Sequence, residues 1–401
     1  MIQSDNPLPK KRFLVESPVL DKLEDKFLKA AELIKKAIDE ASPIILKHHG
    51  DCDGYCGAIP IELAIDSLMP RRSRDSWRFF RRMPSRTPYY DYVDVLKDLT
   101  SYYRDIVSGK VPLLMIVDSG SSEQDVLALK KARQFGLKII VIDHHEPFRL
   151  EGKIVVEQIV DVFINPHEVG GDASLVAGML GTELARLINE DCSKNIEHLP
   201  AVSGITDKSS GKILEDYLEV ARKRGYDLEL LKALGKCVDF DAFFLGFMES
   251  GLVEDLLLSP INEQKIKTAL MIPEIRERER KTVECLKRYS KTEKIKDFEL
   301  VSVKINELID LGSYPPQGKA VGLFFDSLKE GKVIVAGIGV GSVTFRSSLP
   351  DFNLNSMIGE MKKRFEYAQI EGGGHKSAGT IHFVDSSQDE IMEFIREYLA
   401  R

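Results

Sequence analysis

The sequence predicts an α/β protein with three parts: a parallel-sheet domain, a helical connector and a smaller α/β domain at the carboxyl end. Three observations carry that expectation. Short apolar runs at Ile44 to Leu46, Leu113 to Val117, Lys138 to Ile142 and Ile154 to Ile164 alternate with stretches of helical period, the rhythm of parallel strands joined by crossover helices. From Tyr217 to Lys296 the pattern turns helical and charged, and "PEIRERERKTVECLKRYSKTEKIKD" carries no strand signal. Beyond it "FELVSVKI", "AVGLFFDS", "KVIVAGIGV" and "SVTFRSS" read as short strands. The expected boundaries are therefore residues 1–216, 217–296 and 297–401.

In chain order, Ser17 to Ala41 reads as an amphipathic helix, with Leu20, Leu23, Phe27, Ala30, Leu33, Ile34 and Ala37 at three- and four-residue spacing. After the first strand a helix covers Ile59 to Leu68, and Pro60 requires it either to begin only about three residues earlier or to kink there. Further helices are expected at Glu123 to Phe135 and Ala173 to Asn189. The last domain closes with the helix "LNSMIGEMKKRF", the loop "EGGGHKSAG", the strand "TIHFV" and the helix "QDEIMEFIREYLA".

Composition narrows the function classes. With 401 residues, 43% hydrophobic and 30% charged, the chain can bury a large core. No stretch approaches the roughly eighteen consecutive apolar residues of a membrane span, and no apolar segment follows the basic start, so a soluble cytoplasmic protein without membrane partners is expected. The five cysteines form no Cys-x-x-Cys pair, which argues against a disulfide framework or a zinc ribbon. A net charge of -7 gives no global sign of a polyanion partner, so contact with nucleic acid must come from a local patch.

The chemistry gathers at strand ends. "KHHGDCDGYCGA" follows the first apolar run with His49, Asp51 and Asp53; "LLMIVDSGSS" ends at Asp118, "KIIVIDHHEP" at Asp143, His144 and His145, and "VSGITDKSSG" presents Asp207 in a turn. Taken singly, each has a bland reading as a helix cap or turn residue. Their shared context points elsewhere, because the carboxyl ends of neighbouring parallel strands open onto one crevice. Clustered carboxylates need a cation. Four carboxylates and two imidazoles are enough for two divalent ions that share a bridging aspartate, the arrangement used in phosphate-ester hydrolysis, and the histidines favour manganese over magnesium.

"HGDCDG", "VDSGS", "DHH" and "GITD", in that order and followed by "GGGHKSAG", resemble the DHH phosphoesterase superfamily, in particular its members with a DHHA1 domain and the archaeal RecJ-like nucleases among them. The resemblance implies two manganese ions, one held by His49, Asp51 and Asp118 and the other by Asp53, Asp118, His144 and Asp207, with Asp118 bridging. It implies that His145 lies toward the substrate phosphate and that Asp143 supports the histidines. In the second domain it assigns the substrate's anionic end to Arg346 and Ser347 in "TFRSS", and to Gly372, Gly373, Gly374 and His375. The activity it implies is a manganese-dependent single-strand exonuclease acting from the 3′ end in DNA repair or replication. The partners it implies are single-stranded DNA or RNA, a Hef-type helicase or a replication factor, and a second copy of the chain.

One insertion, within about residues 71–110, lies outside the minimal pattern. "RRSRDSWRFFRRMPSRTPYY" sets seven arginines against the single Asp75, interleaved with aromatic residues. Charge for a backbone and flat faces for bases suit a single strand, which makes Arg78, Arg81 and Arg82 candidate nucleic-acid contacts; the competing reading packs the aromatics into the fold and pairs the arginines with acids. Two rival functions share the metal ligands. One is a small-substrate enzyme, an oligoribonuclease or a 3′-phosphoadenosine 5′-phosphate phosphatase; the other is a non-catalytic replication scaffold.

Overall fold

The computed structural model describes residues 12–69, 79–85, 87–246, 251–310, 312–328 and 331–401. They form two compact units, the first running to Leu270 and the second from Met271 to Arg401. Among the described residues no helix is long and apolar enough to cross a membrane.

The first unit begins with α1 (Pro18–Asp39), capped by the Ser17 hydroxyl and burying Leu20, Leu23, Phe27 and Ile34 on one stripe. Then follow β1 (Ile44–His49), α2 (Cys52–Leu68), β2 (Phe80–Ser85), α3 (Tyr92–Ser101), β3 (Leu113–Val117), α4 (Glu123–Gln134), β4 (Lys138–Ile142), β5 (Val162–Ile164) and α5 (Ala177–Ile188). The five strands form one sheet in the order β2-β1-β3-β4-β5, in which every pairing is parallel. β3 is buried along its whole length, as a central parallel strand covered on both faces must be. One face packs Ile45, Leu114, Ile116, Ile139 and Val141 against Val95 and Leu99 of α3 and Leu129 of α4; the other carries α2 and α5.

Several expectations need correction here. α2 starts at Cys52, seven residues before the expected first helical position, and runs through Pro60; the cap made by Asp51, which accepts the Gly54 N–H at 3.1 Å, starts the helix early, and the interior proline removes one backbone hydrogen bond and crowds the carbonyl four residues before it. The expected strand from Ile154 to Ile164 is broken: Lys153–Ile154 pairs with Arg149–Leu150 in a short antiparallel hairpin, Val156–Gln158 is a turn of 3-10 helix, and Val162–Ile164 joins the main sheet. β2 arises inside the arginine-rich insertion, where polar residues hid the strand period.

α2 and α5 cross closely because two glycines meet. A methyl group on Gly181 would overlap the Gly57 carbonyl oxygen, and one on Gly57 would lie 2.7 Å from Val117 Cγ1 and 2.9 Å from the Ala177 carbonyl oxygen. Gly181→Ala is therefore expected to destabilise the first unit by about 1–3 kcal/mol, the cost of overpacking; urea unfolding with an unchanged slope would report it.

Helices α6 (Leu199–Thr206), α7 (Gly211–Lys223), α8 (Leu228–Leu245) and α9 (Leu252–Leu258) complete the first unit, with α7 and α8 both packed on α6. α10 (Ile261–Tyr289) leads to the second unit, a mixed six-stranded sheet in the order β10-β11-β9-β8-β7-β6. Its strands are β6 (Lys291–Ile295), β7 (Phe298–Lys304), β8 (Val333–Gly339), β9 (Ser342–Ser347), β10 (Glu371–His375) and β11 (Ala378–His382). α11 (Gln317–Asp326) covers one face, and α12 (Leu354–Arg364) and α13 (Gln388–Leu399) contribute to the core on the other.

Three readings change in this unit. β6 lies in the segment expected to lack strands; its exposed Lys291, Thr292, Glu293 and Lys294 suit a charged sheet edge. "AVGLFFDS" is helical, with Ala320, Val321 and Phe324 buried at helical spacing. "EGGGHKSAG" is the β10–β11 hairpin, not a loop. Gly374 there has φ +133°, and a side chain on it would strike the Ala378 carbonyl oxygen, so the hairpin itself requires glycine at that position.

Candidate metal centre

The strand order turns at the β1/β3 boundary, because the chain leaves β1 for β2 on one side and then crosses to β3 on the other. The carboxyl ends of β1 and β3 therefore flank the sheet's natural crevice. His49 ends β1 and Asp118 follows β3. The Asp118 N–H still donates to the Ile142 carbonyl at 2.9 Å, yet its φ is +58°, the left-handed region that costs a non-glycine residue about 1–3 kcal/mol unless its surroundings hold it. That turn aims the carboxylate into the crevice.

Asp118 faces two groups of ligands with its two oxygens. Oδ2 lies 3.3 Å from His49 Nδ1, which is 3.0 Å from Asp51 Oδ2. Oδ1 lies 3.4 Å from His144 Nε2, which is also 3.4 Å from Asp53 Oδ2 and 3.5 Å from Asp207 Oδ2. The sets His49–Asp51–Asp118 and Asp53–His144–Asp207 are each compact enough for one ion, as is a third made by Asp118, Asp143, His144 and His145. Asp53, Asp118, Asp143 and His144 are almost wholly buried, while His49, Asp51, His145 and Asp207 form a half-open rim.

The electrostatics fit a cation. Burial, and then the Asp118 charge, push the Asp53 carboxyl well above the usual range; burial, with Asp118 and Asp51 nearby, pushes Asp207 up to about 6 against the opposing pull of His144. The imidazoles of His49 and His144 are raised although burial opposes it, because carboxylates surround them. A pocket that crowds acids and draws protons onto histidines is short of positive charge. Asp118 Oδ1 is also buried with no hydrogen bond, a cost that coordination would remove.

Neighbouring groups orient the ligands as metal ligands require. His144 donates Nδ1–H to the Ala173 carbonyl at 2.9 Å, which leaves Nε2 as the electron-pair donor in the neutral ring. Asp53 accepts the Ala177 N–H at 3.0 Å and the Gly178 N–H at 2.7 Å, capping α5, and also accepts the Ser203 hydroxyl. Asp143 accepts from the His144 N–H at 2.8 Å and lies 2.8 Å from His145 Nδ1, and His145 holds Asp143 below the usual carboxylate range against burial. Asn165, at the end of β5, donates to the His145 carbonyl at 2.9 Å and to the Ser121 hydroxyl at 3.1 Å. Sequence reasoning missed Asn165 and Ser203. The strand-end rule could have found Asn165; no local signal marks Ser203.

The arginine-rich insertion divides. Arg78 lies outside the described residues. Arg81 is exposed. Arg82 is buried: its Nε donates to Glu62 at 2.6 Å, its Nη1 to His48 Nε2 at 2.9 Å, and Glu254 pairs with its other nitrogen. Phe80 and Tyr90 are buried too. Arg82 is thus enclosed by the fold and does not face a solvent groove, the packing alternative for this segment.

In the second unit, sheet register brings Arg346 of β9 opposite Ala378 of β11, and Ala378 opposite His375 of β10; the His375 side chain lies outside the described residues. Arg346 is half-buried and donates to the Phe345 carbonyl at 2.8 Å. Ser347 accepts the Leu349 N–H at 3.0 Å. Gly372, Gly373 and Gly374 lie along β10.

The family model for the N-terminal domain of the DHH family matches residues 43–199. An uncharacterized protein of Methanocaldococcus jannaschii is 35% identical over 414 residues, covering 95% of this chain and 54% of the relative, so the chain spans about half that protein's length. A solved DHH domain from a member of the s1p family of ribosomal proteins superposes with a TM-score of 0.91 at 35% identity, over 97% of this chain and 93% of the other. RecJ in complex with Mn2+ from Thermus thermophilus superposes with a TM-score of 0.63 at 16% identity, over 97% of this chain and 56% of that one.

The fold is that of the RecJ structures, and the site is a cluster of carboxylates and imidazoles compact enough to hold divalent ions. The chain belongs to the DHH superfamily.

Proposed function

We propose that the protein is a two-metal phosphodiesterase that removes nucleotides from the 3′ end of single-stranded nucleic acid. The observation that supports it most is Asp118, whose two oxygens face two separate ligand sets. Two divalent ions held there, manganese favoured by the imidazoles, would supply a Lewis acid and a water of lowered pKa. His49, Asp51 and Asp118 would hold one; Asp53, Asp118, His144 and Asp207 would hold the other. His145, with Nδ1 engaged by Asp143, turns its other nitrogen away from that carboxylate and would donate to the phosphate. Arg346, Ser347, Gly372, Gly373, Gly374 and His375 would hold the substrate's anionic end. A helicase or replication factor as partner, and self-association, belong to the same reading.

The enclosed Arg82 favours a second reading. It removes one of the charges proposed to follow a polymer backbone, which strengthens the case for a small substrate such as a dinucleotide or 3′-phosphoadenosine 5′-phosphate. Digestion with Mn2+ of DNA and RNA strands of graded length, labelled at either end, separates the two. The exonuclease yields a progressively shortening ladder from 5′-labelled strands and immediate mononucleotide from 3′-labelled ones. Turnover confined to the dinucleotide or 3′-phosphoadenosine 5′-phosphate would establish the second reading in its place.

A further inference from the structure

We propose that Phe240, Phe243 and Phe244 of α8 form a stacking platform for the base of the nucleotide whose phosphate lies at the metal centre, an inference that rests on the phosphodiesterase reading. α8 is joined to the ligand-bearing segments at two points. Asp239 Oδ1 accepts the Cys52 N–H at 3.0 Å, between the ligands Asp51 and Asp53. One turn earlier, a side chain on Gly235 would lie 3.8 Å from Cys52 Sγ and would overlap the hydroxyl of Thr206, the residue before Asp207. The face of α8 defined by Gly235 and Asp239 thus runs beside the metal ligands.

Phe243 is four residues beyond Asp239, so it continues that face one turn on, an advance of about 6 Å along the axis. That is the distance a sugar has to span between a phosphate and its base. Phe244 is 52% exposed, and its ring centroid lies 5.0 Å from those of both Phe240 and Phe243, edge to face in each case. The cluster holds its own rings in fixed orientations and still offers aromatic surface to solvent. Every nucleobase has a flat π-face, so such a platform grips nucleotides without reading their sequence. A phosphatase for inorganic or non-aromatic esters has no use for it.

The test uses the full chain with Phe243→Ala/Phe244→Ala and Phe244→Tyr. Binding of a strand whose 3′-terminal base is 2-aminopurine, followed in Mg2+, is expected to quench the probe's fluorescence in the wild type and the Tyr variant but not in the double variant. Cleavage in Mn2+ of strands ending in a normal or an abasic nucleotide is expected to differ by about ten- to a hundredfold in the wild type, the range that stacking gives. In the double variant the difference collapses while abasic cleavage stays at the wild-type rate. Quenching without cleavage would overturn the nuclease reading and keep the platform. Cleavage with undiminished discrimination in the double variant, or no quenching in the wild type, would overturn the platform.

Discussion

Asp118→Asn is expected to lower manganese-dependent hydrolysis by roughly a hundred- to a thousandfold and to weaken binding of both metal equivalents. Asparagine tolerates the positive φ of this position better than most residues, so the turn survives. What disappears is the charge on the two oxygens that face His49 and His144 at 3.3 and 3.4 Å. Loss of transition-state charge stabilisation worth several kcal/mol corresponds to that range. Asp51→Asn, by contrast, touches only the His49 set and should weaken one equivalent. Manganese titration calorimetry distinguishes the two patterns. Near-normal activity, or loss of a single equivalent, would refute the bridge.

Arg82→Ala is expected to destabilise the first unit by about 3 kcal/mol. Breaking a buried ion pair by removing one partner costs about 3–5 kcal/mol. The lower end applies because Glu62 and Glu254, which lose their counter-charge, keep side chains 23% and 22% exposed. For a unit of this size the melting temperature should fall by roughly 6–12 °C. The same change frees His48 Nε2 from its donor and removes the guanidinium from above the Tyr55 ring, 5.4 Å from its centroid. Arg81→Ala, on the exposed neighbour, should stay within about 0.5 kcal/mol of the wild type. If Arg82→Ala leaves the melting curve in place yet flattens the salt dependence of strand binding, the residue reads phosphate and its enclosed position is not its role.

Much of the candidate metal centre was legible before folding was considered. A parallel sheet covered on both faces forces its strands to be continuous apolar runs, and each run ends abruptly where a ligand begins: Leu113 to Val117 before Asp118, Lys138 to Ile142 before Asp143 and His144. Charged residues at those ends stand out because nothing charged fits within the strands. The same contrast fails where burial is partial. β2 carries Arg81 and Arg82 on a sheet edge, and "AVGLFFDS" is too short for its apolar spacing to separate helix from strand.

Adjacent residues mark the limit most sharply. His48 and His49 are the same residue type at the end of one strand, and strand alternation sends them to different surroundings. His49 meets Asp51 and Asp118 at the crevice, whereas His48 is buried, donates to the His49 carbonyl at 2.7 Å, accepts from Arg82 and is kept neutral by burial and by that guanidinium. Local period and turn chemistry, written in neighbouring residues, determined which segments become strands and where their ends collect charge. Tertiary structure alone decided which charges those ends meet. The partners of Arg82 come from β1, α2 and α9, and those of Asp53 from α5 and α6, elements far apart in the chain whose approach depends on how closely glycines such as Gly57 and Gly181 let helices cross.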